Sequence, residues 1–172
     1  MRQGQYFLTV ILLTAAQMLI CNYLHLSQFV YLSILPAIIL LIPIRFSTIF
    51  ALCTAFVCGM AVDLLGDGVP GLNTFALLPV ALLRVNIIRL VCGEEIFARK
   101  EDISMARQGF LKISSCLVIA QAIFLLLYIW ADGAGTRPLW FNSLRFALSL
   151  SAGYMLSLFI ADILSPEKQN RW

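Results

Sequence analysis

The sequence predicts an all-α integral membrane protein, a single polytopic domain over residues 1–172 with six transmembrane helices and both termini cytoplasmic. Three observations carry this. Of the 172 residues, 61% are hydrophobic and only 12% charged, with a mean hydropathy of +0.92; a soluble domain carries about 25% charged residues. The apolar residues gather into stretches that approach the roughly 20 helical residues needed to cross a ~30 Å hydrocarbon core. Lys and Arg fall almost entirely on one side of those stretches.

The first stretch, Tyr6–Tyr23, follows Arg2. No small-x-small cleavage site ends it, and Ile20 stands where a lipoprotein signal needs a small residue before Cys21, so it reads as an uncleaved span. The second, Phe29–Ile44, and the third, Phe46–Leu65, are separated only by Arg45. Pro36 and Pro43 favour a break, because proline removes a backbone donor and disfavours helix at the residue before it. The fourth span is Gly71–Cys92, the fifth Phe110–Trp130 and the sixth Leu139–Leu164. With the N-terminus inside, the inner regions hold Arg2, Arg45, Arg89, Arg99, Lys100, Arg107, Lys112, Lys168 and Arg171, and the outer loops hold only Arg137. Positive charge marks the cytoplasmic side. The inner loop GEEIFARKEDISMARQ reads equally as a short surface helix on the inner leaflet or as a solvated connector.

The stretch Gly59–Leu83 departs most from ordinary spanning sequence. Ser47, Ala51, Ala55, Gly59 and Asp63 recur at every fourth residue of the third span, and Arg145, Ser149, Gly153, Ser157 and Ala161 do so in the sixth. Such positions share one helix face, and small side chains there allow close approach of another helix. The expectation is that these two faces pack together and that Asp63 pairs with Arg145, since charge inside a membrane is tolerated mainly when paired or facing water. Pro79 is expected to interrupt the fourth span. That span also carries Asn73, Thr74, Arg84, Asn86 and Arg89, of which Asn73, Arg84 and Asn86 are candidates for a polar crevice, with Asp162 a partner for Arg84 or Arg89. The turn GDGVPG suits tight chain reversal.

Catalysis finds no support in the chain. The only histidine is His25, and no GxSxG, HExxH or paired carboxylates within a helix occur. Cys21, Cys53, Cys58, Cys92 and Cys116 form no CxxC pair and read as small apolar packing residues. No metal, cofactor or nucleic-acid partner is expected.

Gly59, Asp63, Gly71 and Leu72, with Ala76 behind them, form the pattern G-x-x-x-D, seven residues, then G-L. In this hairpin, in length and in span number, the chain resembles the MreD family of bacterial rod shape-determining membrane proteins. The motif covers about 25 residues of the chain and the hydropathy likeness the whole of it. The chain departs from the family in a shorter second span and a longer charged inner loop. The resemblance implies a non-enzymatic component of the cell-elongation machinery in the bacterial inner membrane, helping to direct side-wall peptidoglycan synthesis. It implies MreC as direct partner, with MreB, RodA and a class B penicillin-binding protein as indirect ones, besides membrane lipid. On this reading Asp63 and Gly71 hold a binding surface for MreC. The chief alternative is the substrate-binding membrane subunit of a vitamin or other small-molecule transporter, which would use the polar fourth span. A membrane-embedded lipid-modifying enzyme is a third reading.

Overall fold

Apolar runs of this length fold as helices in a bilayer because every backbone N–H and C=O must find a partner without water. The computed structural model describes residues 3–23, 30–44, 46–67, 69–94, 109–133 and 138–163. The order is α1 (Gln3–Tyr23), α2 (Leu35–Leu40), α3 (Thr48–Val62) continued by a π-helical turn (Asp63–Asp67), α4 (Leu72–Cys92), α5 (Phe110–Gly133) and α6 (Leu139–Ile163). Among the described residues no β-strand occurs. α3 with its π turn, α4, α5 and α6 are long and apolar enough to cross a membrane, and α1 contributes a shorter apolar stretch, Phe7–Asn22. The chain is an all-α, multi-pass membrane protein.

Helix ends follow local chemistry. Ser47 caps α3 by accepting a hydrogen bond from the Phe50 amide at 3.3 Å. Glycine ends α4, where Gly93 takes φ 87°. Pro79, expected to interrupt the fourth span, lies within an unbroken α4. α4 is central, packing most extensively against α5 and α3, while α5 also packs on α6.

The second expected span is not a spanning helix. Residues 31–34 form neither helix nor strand, and α2 is only six residues long. Its two prolines explain this. Pro36 sits in the first turn, where its missing N–H costs nothing, and Pro43 disfavours helix at Ile42, so the helix fits only between them. Every residue from Ser33 to Pro43 is buried. A peripheral helix of a bundle buries one stripe, whereas burial all round marks the centre. α2 touches each of the other five helices.

Non-helical backbone at membrane depth is tolerated only inside protein, with its polar groups met. Here side chains from four helices meet them. The Tyr31 amide donates to Ser149 Oγ (2.8 Å) and the Ile34 amide to Gln17 Oε1 (2.8 Å). Gln17 Nε2 donates to the Leu32 carbonyl (3.0 Å) and Gln121 Nε2 to that of Ser33 (3.3 Å). At the other end of α2, Arg84 donates through Nε to the Leu40 carbonyl (3.2 Å) and through Nη2 to that of Ile42. Carbonyls at a helix C-terminus carry partial negative charge, and a guanidinium suits them.

Candidate functional site

The α3–α4 hairpin is built around Asp63. This residue ends the regular part of α3, and its side chain is wholly buried. Its carboxylate accepts four hydrogen bonds from the start of α4. Oδ1 takes the Asn73 amide (2.8 Å), and Oδ2 takes the amides of Gly71 (3.1 Å) and Thr74 (3.0 Å) and the Thr74 hydroxyl (2.7 Å). The first N–H groups of a helix have no partner within it, and an aspartate is among the preferred caps for them, its charge suiting the helix N-terminus. Asp63 performs this from the preceding helix, locking the two ends of the hairpin together.

Gly59 and Gly71 serve the same joint for opposite reasons. A Cβ on Gly59 would lie 2.8 Å from the Thr74 Cα and 2.9 Å from its Oγ1, so space demands glycine there. A Cβ on Gly71 would meet nothing within 4 Å, but φ is 93°, so backbone conformation demands it. Leu72 opens α4 and packs against the core. The motif Gly59, Asp63, Gly71, Leu72 is thus one structural unit, completed by Thr74.

The expected Asp63–Arg145 pair does not form. Arg145 pairs instead with Asp132 in the last turn of α5, and its guanidinium lies 5.9 Å from the centroid of the Tyr128 ring. The small-residue faces, buried except at Ser47, do not meet. That of α3 lies against α4, with Gly59 on Thr74, and that of α6 against α5 and the non-helical segment before α2, with Gly153 beside Gln121 and Ser149 on Tyr31. α3 and α6 share no extensive interface.

A polar and aromatic chain nevertheless joins the two places. Asn73, whose amide meets Asp63, accepts from the Tyr31 hydroxyl at 2.7 Å. The Tyr31 ring stacks on Tyr128, centroids 3.9 Å apart and 20° between planes, and Tyr128 carries Arg145 over its face.

The polar crevice expected of Asn73, Arg84 and Asn86 is not formed. Asn73 and Arg84 are buried but stand eleven residues apart on α4, roughly 16 Å at 1.5 Å per residue. Asn86 is exposed. Arg84 is turned to the α2 carbonyls, and Arg89 pairs with Glu94 at 3.6 Å on the surface. Asp162 is exposed at the end of α6. The charged loop 95–108, His25 and the side chain of Asp67 lie outside the described residues. Gln17, Tyr31, Gln121, Tyr128 and Asp132 were not singled out from the sequence. The signal available was an amide side chain within each of two apolar spans, where a polar group needs a partner.

Chemically, the described side chains of the hairpin offer neither a nucleophile beside a base nor an open carboxylate, because Asp63 is engaged by α4. Among the described residues no three His, Cys, Asp or Glu side chains cluster to hold a metal. What the arrangement does is hold two helix ends rigidly and present Leu64, Leu65, Val69 and Phe75, all exposed, around the turn. No family model, characterised protein or solved structure matches the chain.

Proposed function

We propose that this protein is a non-enzymatic membrane component of the bacterial cell-elongation machinery, in the inner membrane, binding MreC and helping to direct side-wall peptidoglycan synthesis. The observation that carries the reading is the joint use of Gly59, Asp63, Gly71 and Leu72, the residues of the MreD resemblance, in a single buried cap. In this reading Asp63 is a positioning residue. It holds the hairpin so that Leu64, Leu65, Val69 and Phe75 face a partner helix, since exposed apolar side chains around a rigid turn suit helix packing.

A substrate-binding transporter subunit is the second reading. It is favoured by the broken segment at the bundle centre, because interrupted helices line substrate sites in many transporters. Against it, the amide and guanidinium groups around that segment are turned to backbone.

The test is affinity purification of the tagged chain from its native membrane in mild detergent. MreC or the elongation synthase should co-purify, and substituting exposed Leu65 and Val69 by Asn should weaken recovery while insertion is unchanged. Recovery of an energising ATPase module in their place overturns the proposal.

A further inference from the structure

We propose that Cys92 and Cys116 form a reversible disulfide that staples α4 to α5, with a lipid-soluble quinone as oxidant. The two Sγ atoms lie 4.0 Å apart although they belong to different helices. Cys92 is the last residue of α4, and Cys116 lies in the second turn of α5. The other cysteines are placed differently. Cys58 accepts from the Thr14 hydroxyl, Cys21 from the Gln17 amide, and Cys53 is exposed. Among the described residues no third metal-ligating side chain joins the pair. A structural zinc site built on cysteine takes four ligands.

Closing the gap to an S–S bond of about 2.05 Å needs a rotamer change and a small shift of backbone. The structure places that freedom at Cys92. The helix ends there, with Gly93 at φ 87° following, and terminal turns fray readily. Cys116, 2% exposed, is fixed within the α4–α5 interface.

The same burial selects the oxidant. Cys92 is 8% exposed and both residues belong to the apolar core, so an ionic oxidant in water reaches them poorly. A two-electron acceptor dissolved in the bilayer does better. Two S–H bonds break and one S–S bond forms; the quinone takes the two electrons and two protons and leaves as hydroquinone. Exchange with an external dithiol reverses the step. The bond joins the helix ends that bracket residues 93–109, opposite the Asp63 hairpin.

The experiment uses the full-length chain in lipid nanodiscs, exposed to a short-chain benzoquinone, alkylated, unfolded and digested with trypsin. Cys92 then lies in the peptide Leu90–Arg99 and Cys116 in the one beginning at Ile113. We expect these two peptides to be linked after quinone treatment, separated by dithiothreitol, and unlinked in Cys92→Ala and Cys116→Ala. Full alkylation of both cysteines after quinone treatment overturns the proposal, as does a quinone adduct on Cys92 or linkage of Cys116 to Cys53.

Discussion

Replacing Asp63 by Ala removes the acceptor for three backbone amides and one hydroxyl at the start of α4. A buried donor left unmet costs about 1–3 kcal/mol, so the three amides set a ceiling of roughly 3–9 kcal/mol. Two effects reduce it. Burying a carboxylate costs several kcal/mol by itself, and alanine no longer incurs that. The Thr74 hydroxyl can also turn back to a carbonyl one turn earlier. We expect a net loss of about 2–4 kcal/mol, above the usual ~0.5–2 for deleting a helix cap. At 1.4 kcal/mol per tenfold, the folded fraction relative to unfolded falls roughly 30- to 700-fold. The assay is unfolding of purified protein in mixed micelles by increasing SDS, followed by helical circular dichroism. Asp63→Asn separates shape from chemistry. It keeps the volume and one oxygen but turns an N–H₂ group towards the donors that Oδ2 now meets, so it should be no more stable than Asp63→Ala. An Asp63→Ala protein within about 0.5 kcal/mol of wild type, inside the range of ordinary surface substitutions, would refute the reasoning, as would full rescue by Asn.

The remaining predictions address the other joints. Gly59→Ala should cost about 1–3 kcal/mol, because the new Cβ meets Thr74 backbone and the helices must part; Gly71→Ala should cost about 1–2 through its φ of 93° alone. Asn should rescue position 71 and not position 59, read by the same SDS titration. Arg84→Met should strip two charge-assisted bonds from the carbonyls of Leu40 and Ile42, each worth about 1.5–3 kcal/mol. Hydrogen-exchange protection should then fall in peptides covering residues 30–44 before it falls in α5. Reversing the charge of Asp132 or Arg145 alone should destabilise by about 1–3 kcal/mol, between exposed and buried ion pairs. Exchanging both should restore most of that, whereas exchanging Asp63 with Arg145 should restore none.

The sequence by itself determined that the chain lives in a membrane and where most of its helices run. Apolar runs of about 20 residues can satisfy their backbone in lipid only as helices, and that is a local property. The expected third to sixth spans accordingly match α3–α6 within two or three residues, apart from the π turn that extends α3. The Gly59–Leu72 hairpin was legible too, since an aspartate and a turn glycine in apolar sequence stand out whatever surrounds them. The tertiary structure decided the rest. Arg145 chose Asp132 over Asp63 because α6 packs on α5 while Asp63 was already claimed by α4. A stripe of small residues shows that some helix approaches but not which one. The path of residues 30–44 was least legible of all. Its backbone needs were met by Gln17, Arg84, Gln121 and Ser149, side chains far apart in sequence that only folding brings together.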